Sequence, residues 1–392
     1  VNLPAGSAGA IVSLADYAGT WQTNNLTVSP DGSEKIGGST IDVILNTEGQ
    51  SVTLVYVDST QGWVTTADST ENVVGNQFIC ASVSGACNTL VTAPDCANAK
   101  IATFIGPGTF TVNSAAVCAA NNVVSYMVIA GGGGSGSERG AGGGAGGYRE
   151  TKSPVTPYTA SPLDGYPTPG NRITVTATGF PITVGAGGGI SAPYPPYSNG
   201  VRGSNSIFST ITSTGGGGGK GALKNVNACA PGGSGGGGAH STGCSCVKNA
   251  GTGNTPPFTP AQGTNGGAAG SPPAADGGAA GGGGGAGGAG TQGSGEPGAG
   301  GAGGVGITTS INSTPTIRAG GGAGGAWGGG VAPNNPGGGP AGGGVGGGPG
   351  GTGADSSTGG TANTGGGAGG GGPGSQGHSG GSGIVVIRYK FQ

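Results

Sequence analysis

Residues 279–290 read Ala279-Ala280-Gly281-Gly282-Gly283-Gly284-Gly285-Ala286-Gly287-Gly288-Ala289-Gly290, and the stretch from 131 to 383 repeats this character with few breaks. Glycine gives up the most backbone freedom on ordering and offers no side chain to pack, so such a segment suits neither helix nor pleated strand. A Gly/Ser composition commonly makes a flexible linker, and collagen is the other familiar glycine-rich structure. Collagen requires glycine at every third position with other residues between, and the run 215–219 breaks that rule. The reading adopted here is glycine in the polyproline II conformation. It has three residues per turn and no internal hydrogen bonds, so N–H and C=O groups leave in three directions and neighbouring helices must take them.

In a lattice of such helices a Cβ would hold surrounded neighbours apart, so glycine belongs inside and Ala, Ser, Thr, Pro or Asn at the rim. Ala286, Ala289, Ala299, Ala302 and Val305 are expected at rim positions on this rule. Ordering a residue costs about 1–2 kcal/mol, while a hydrogen bond returns about 0.5–1.5 kcal/mol net, so the lattice alone is near balance. Apolar pieces at its borders must supply the rest. The sequence places Tyr126–Ile129 before Gly131, Phe180–Val184 before Gly185, Ile207–Ile211 before Gly215, Ile311–Ile317 before Gly320, and Ile384–Tyr389 at the close. Each reads as a short strand.

The fold class expected is an all-β N-terminal module followed by a polyglycine II sandwich with short flanking strands and essentially no α-helix. Residues 1–75 form the β-rich attachment module, with strand candidates at 11–12, 26–28, 41–45 and 52–57 and Trp21 and Trp63 as core bodies. Residues 76–122 form a cysteine-containing β connector, in which 100–112 reads as two strands around Gly106-Pro107-Gly108. Residues 123–392 form the glycine-rich domain with inserted loops.

The chain has 392 residues, of which 7% are charged and 5% aromatic, with a net charge of -2. No basic surface for nucleic acid is expected. No apolar run approaches the roughly 20 residues that span a bilayer, and no signal-peptide pattern opens the sequence. Seven cysteines fall into two groups. Cys80, Cys87, Cys96 and Cys118 are even in number and suit two disulfides, while Cys229, Cys244 and Cys246 leave one thiol over.

Cys229, His240, Cys244 and Cys246 supply the four ligands a tetrahedral metal site needs, but the spacing fits no strong zinc pattern and a disulfide with a spare thiol is the competing reading. The two histidines lack a nearby carboxylate in sequence, and no nucleophile and base sit together. No enzyme activity, cofactor or firm metal site is expected. The better binding candidates are rings on Pro-containing loops: Tyr158, Tyr166, Tyr194, Tyr197, Phe258 and Trp327. Such rings contact protein or sugar surfaces at low entropic cost, or else cap the lattice edge.

The strings Tyr126–Gly134, Gly144–Arg149, Ile182–Gly188, Gly203–Phe208, Thr361–Gly367 and Gly381–Tyr389 resemble the polyglycine II sandwich domains of tailed-bacteriophage tail fibres and tip adhesins. Ala15–Thr20 and Val52–Trp63 are similar to a segment of tailed-phage virion proteins. The resemblance implies a rigid scaffold that presents loops to a host receptor, an outer-membrane protein or glycan. It also implies other tail or fibre proteins as partners, with a homotrimer as one assembly, and a virion location. A purely structural fibre or decoration protein, and a microbial surface adhesin or filament subunit, are the alternative readings. The loop around 229–246 departs from the family's usual pattern.

Overall fold

A computed structural model of the chain describes residues 1–69, 78–190, 198–221, 231–239, 249–270, 278–295, 298–326, 343 and 357–392. It divides into two compact units, Val1–Asn76 and Gln77–Gln392. All regular structure among the described residues is strand, apart from two single 3₁₀ turns at Ala119–Asn122 and Pro169–Asn171.

In the first unit β1 (Ile11–Ala15), β2 (Leu26–Val28), β3 (Val43–Leu45), β4 (Ser51–Asp58) and β5 (Gly62–Ser69) form a sheet in the order β1-β4-β5 and a β2-β3 hairpin. The alternation along β4 buries Val52, Leu54 and Tyr56. These pack with Leu3, Val28, Ile36, Leu45 and Trp63, which is fully buried with its ring edge-on to Tyr56. Sequence reading missed β5, because Thr65, Thr66 and Asp68 interrupt its apolar pattern.

In the second unit β6 (Cys80–Val83), β7 (Thr89–Ala93), β8 (Cys96–Phe104), β9 (Gly108–Ser114), β10 (Val123–Ile129), β11 (Tyr148–Thr151), β12 (Ile173–Thr174), β13 (Gly179–Thr183), β14 (Ser206–Phe208), β15 (Ile211–Ser213), β16 (Ile307–Thr309), β17 (Thr316–Arg318) and β18 (Ile384–Lys390) follow. One sheet runs β11-β10-β18-β8-β7, with β12 also on β10; a second runs β15-β14-β13-β9-β6. The two strands expected around Gly106-Pro107-Gly108 exist as β8 and β9, but they do not pair. The chain crosses there from one sheet to the other.

The two sheets share a core. Phe104, Val124, Tyr126, Val128, Val385, Ile387 and Tyr389 of the first meet Phe110, Val112, Ile182, Phe208 and Ile211 of the second. The opposite face of the first sheet, with Met127, Ile129, Ile384 and Val386, is also covered, by Ala145, Ala286, Ile307, Ile311 and Ala319. Burial on both faces explains why β10 and β18 read as continuous apolar runs. Each fully buried large aliphatic or aromatic side chain contributes about 1.5–3 kcal/mol, which the glycine segments cannot supply themselves.

From the tops of these strands the glycine legs rise. In leg 131–137, Gly131 N–H donates to Ser204, Gly132 to Gly381 and Gly133 to Gly144; then Gly134 donates to Val201, Ser135 to His378 and Gly136 to Ala141. Three successive amides face three different segments and the fourth returns to the first. That is the three-residue turn of a polyglycine II helix, and it excludes a pleated ladder, whose amides alternate between two neighbours.

Leg 140–147 sits at the centre of the lattice. Its own amides donate to legs 214–220, 281–284 and 365–371, and its carbonyls accept from 130–136, 234–237 and 322–325. Those six legs are bonded to one another in a closed ring, through Gly216 to Gly131, Gly217 to Ser234, Gly281 to Gly238, Gly283 to Gly322, Gly370 to Ala323 and Ala368 to Gly133. Further legs, including 184–190, 198–205, 263–270 and 299–306, lie outside the ring. A Cβ on Gly133 or Gly143 would come closer than 3.0 Å to a carbonyl oxygen of an adjoining leg.

The rim rule holds along 299–306, where Ala299, Ala302 and Val305 are half-buried to exposed while Gly300, Gly301, Gly303 and Gly304 are buried. It fails at Ala286, which is buried against the sheet, and it does not foresee Ala141 and Ala145 in the central leg. Ala141 shares one fully enclosed gap with Ala239 and Ala280 from neighbouring legs. Three methyl groups fill a space there that three glycines would leave empty. The first cysteine group also departs from expectation: Cys80, Cys87, Cys96 and Cys118 are free thiols.

Candidate functional site

The lattice has two ends, one formed by strands and one by turns. β10, β14–β15 and β16–β17 mark the strand end. At the other end Gly136–Gly140 turns beside Gly371–Gly377, and the geometry is fixed by charge and backbone bonds. Glu138 is buried; its Oε2 accepts from Gly374 N–H at 2.6 Å and its Oε1 lies 3.4 Å from Arg139 Nε. Both residues have positive φ, 52° and 55°, a left-handed turn that reverses the leg within a few residues.

Around this turn the legs end in polar residues. Ser137 and Ser198 exchange bonds, with Ser137 N–H donating to the Ser198 carbonyl at 3.0 Å and Ser198 N–H to Ser137 Oγ at 2.7 Å. Gly221 N–H donates to Asn199 Oδ1 at 2.9 Å, and the His378 ring bonds Ser357 Oγ through Nε2 at 2.8 Å. Ser198 borders residues 191–197, and Ala326, next to Gly325 whose N–H donates to Gly140, borders residues 327–342. Tyr194, Tyr197 and Trp327, and the ligand candidates Cys229, His240, Cys244 and Cys246, lie outside the described residues. The described residues Ser198 and Ala326, where the legs reach the limits of those two segments, lie at the turn end.

The other three rings sit at the strand end, and each is engaged by a cation. The Arg149 guanidinium lies 4.0 Å from the Phe258 ring centre, and Arg172 lies 4.4 Å from that of Tyr166. Asn171 joins the two loops: its amide donates to Thr259 O at 2.9 Å and to Gly165 O at 3.2 Å, and its Oδ1 accepts from Arg149 at 2.5 Å. Tyr158 lies between Lys152 at 5.7 Å and Arg388 at 5.4 Å. Burial first, and then the Glu150 carboxylate, push its hydroxyl far above the usual tyrosine range.

Arg388, fully buried on β18, ties this end together. It bonds Asp95 Oδ1 at 2.9 Å, Pro157 O at 2.8 Å and Ile311 O at 3.3 Å. Burial works to raise the Asp95 carboxyl, but the Ser313 hydroxyl and Arg388 outweigh it and hold it below its ordinary value. Glu150, also buried, accepts from Tyr148 Oη at 2.6 Å, Ser161 N–H at 3.0 Å and Thr309 Oγ1 at 2.5 Å. Apart from the Tyr148–Glu150 bond within β11, the bonds of this network run between segments that border the lattice, so its chemistry is that of a clamp. A buried arginine in an apolar strand was the available sequence signal for it.

Fold and site together define an all-β protein built on a glycine-rich scaffold, with strands at one end and polar turns at the other. The glycine-rich domain family matches residues 105–390, and the chain belongs to that family. No curated protein matches the chain. Among the described residues no helix is long and apolar enough to cross a membrane.

Proposed function

We propose that this is a non-enzymatic tail-fibre or tail-tip protein of a tailed-phage virion, in which the glycine lattice holds receptor-binding segments out toward the host surface. One observation carries the reading. Ser198 and Ala326, the described residues that border the segments of Tyr194, Tyr197 and Trp327, lie at the turn end, opposite the apolar strand clamp. A stiff lattice whose turn end is polar and free of the apolar clamp suits presentation of a contact surface there. Little charge is available for steering, so contact rests on rings and hydrogen bonds.

The first unit supports an attachment role. Among the described residues, Val1, Ile11, Tyr17, Ile41, Ile44 and Val57 are exposed in the first unit, whereas the longer second unit exposes Val91, Ile105, Val117, Val201 and Val305. Host receptor and other fibre proteins are the partners on this reading. A structural fibre element without receptor contact is the second reading, favoured for the strand end by the cation-covered rings of Tyr166 and Phe258.

Adsorption of particles carrying Tyr194→Ala, Tyr197→Ala and Trp327→Ala separates the two. The adhesin reading predicts at least tenfold slower adsorption with particle assembly unchanged, and adsorption that varies little with salt. Wild-type adsorption by the triple variant would leave the structural reading.

A further inference from the structure

Strand β1 lies at the edge of the first unit's sheet, and among the described residues it pairs only with β4. Tyr56 N–H donates to Ala10 O at 2.9 Å and Asp16 N–H to Gln50 O at 2.8 Å. In an antiparallel register the even-numbered residues between them therefore turn their backbone groups toward β4. Ile11, Ser13 and Ala15 turn theirs away, and no other described segment accepts from those N–H groups.

The opposite edge of the same sheet is closed. On β5, Trp63 N–H donates to Lys35 O and Trp63 O accepts from Gly37 N–H, so a loop covers that strand, and Asp68 adds an exposed charge further along. Folded proteins blunt an open edge with charge, proline, a bulge or a covering segment. The run Ile11-Val12-Ser13-Leu14-Ala15 has no charge and no proline, and its register with β4 is unbroken. Ile11 is 66% exposed, and Val12 and Leu14 are only partly buried against the core.

We propose that β1 pairs antiparallel with β1 of a second copy of this chain, about a two-fold axis at Ser13. Ser13 then opposes Ser13, Ile11 opposes Ala15, and Val12 opposes Leu14 of the second copy. Each outward N–H meets an outward carbonyl. Ala15 O, which already accepts from Tyr17 N–H at 3.0 Å, takes the second bond through its other lone pair. Moving the register by two residues sets Ala15 against Gly9 or Ile11 against Tyr17, whose N–H groups are already bonded to Tyr56 O and Ala15 O. Only the axis at Ser13 engages every free group.

The occupant this edge requires has free backbone groups on alternate residues and apolar side chains between them on the core-facing side, which is the pattern of β1 itself. Val12 and Leu14 meet Leu14 and Val12 of the second copy and complete their burial. No like charges face each other: the strand is neutral, and Asp16, opposite Ala10 of the second copy, has its carboxylate held by the N–H groups of Thr20, Trp21 and Gly49. Two such short strands bury less than the roughly 1,000 Å² of a stable interface, so the dimer is reversible, with a dissociation constant on the order of 0.1 mM. The inference does not rest on the tail-fibre reading.

Sedimentation equilibrium of the full-length protein from about 10 μM to about 1 mM, with isotope-filtered NMR of mixed labelled and unlabelled chains, tests it. The expected result is a monomer–dimer equilibrium with intermolecular contacts between the methyl groups of Val12 and Leu14. Ser13→Pro removes an N–H that β4 does not use, so the Val52 and Leu54 methyl signals stay in place while dimer affinity falls at least about tenfold. Ser13→Lys keeps every N–H and sets like charges opposite one another; it weakens the dimer by about three- to tenfold at low salt, with partial recovery in about 0.5 M salt. Should Ser13→Pro disturb the core signals, Ser13→Lys decides. Val91→Lys, on the exposed strand β7 of the second unit, leaves the affinity unchanged. A monomer throughout the range, association indifferent to Ser13→Lys, or intermolecular contacts confined to other residues would overturn the proposal.

Discussion

Gly133 and Gly189 show how far a single methyl group decides the fate of the lattice. A Cβ on Gly133 would press on the Gly217 carbonyl, part of a backbone that cannot swing aside, whereas the nearest atom to a Cβ on Gly189 is Ser379 Oγ at 3.9 Å. Gly133→Ala is expected to cost at least about 2 kcal/mol, and Gly189→Ala to be neutral or stabilising by up to about 1 kcal/mol through the unfolded chain. Denaturant midpoints of the two variants check this. Titration of the buried tyrosines gives a second residue-scale expectation. Burial pushes Tyr126 up to about 12, and Tyr148, Tyr158 and Tyr389 also lie above the ordinary 10.0. Their folded pKa values exceed the unfolded one, so the protonated folded state loses stability as pH rises past about 10. Absorbance of tyrosinate should rise in two stages, with the buried rings ionising only as the protein unfolds at higher pH.

At the scale of elements the last strand is the one on which the others converge. β18 lies between β10 and β8, pairing Ile387 with Tyr126 on one side and with Ala102 on the other, and Arg388 clamps three separate turns. Removing residues 384–392 should abolish cooperative unfolding of the glycine-rich unit, while Arg388→Met should lower its stability by about 2–3 kcal/mol. Calorimetry of both variants distinguishes loss of the fold from loss of the clamp. The apolar strings that became β10, β13, β14 and β18 were legible because strand and glycine leg adjoin without a break. Their partners were not. Nothing local in Ile384–Tyr389 says that its neighbours lie far upstream in the chain, and nothing near Gly106-Pro107-Gly108 says that β8 and β9 join different sheets. Glu150 and Arg388 were legible only as charges beside apolar runs, since their roles depend on segments brought close by folding.

Across the whole glycine-rich unit, side-chain-free backbone replaces an oily interior. Apart from the small Ala141, Ala239 and Ala280 cluster, the apolar clusters of this unit lie at the strand end, and beyond it each leg is held by amides bonded in three directions. That geometry was readable from composition, because only glycine tolerates it at close spacing. The alanines at 141, 145 and 286 were misplaced to the rim or passed over, because composition does not reveal where three Cβ atoms can share one gap. The central claim is this three-way bonding. Scalar couplings across hydrogen bonds, measured from the amides of Gly142, Gly143 and Gly144, test it most directly. The account predicts couplings to the carbonyls of Gly281, Ala368 and Gly217, three different segments in succession. Couplings alternating between two segments, as in a pleated sheet, or none at all, as in a flexible linker, would contradict it.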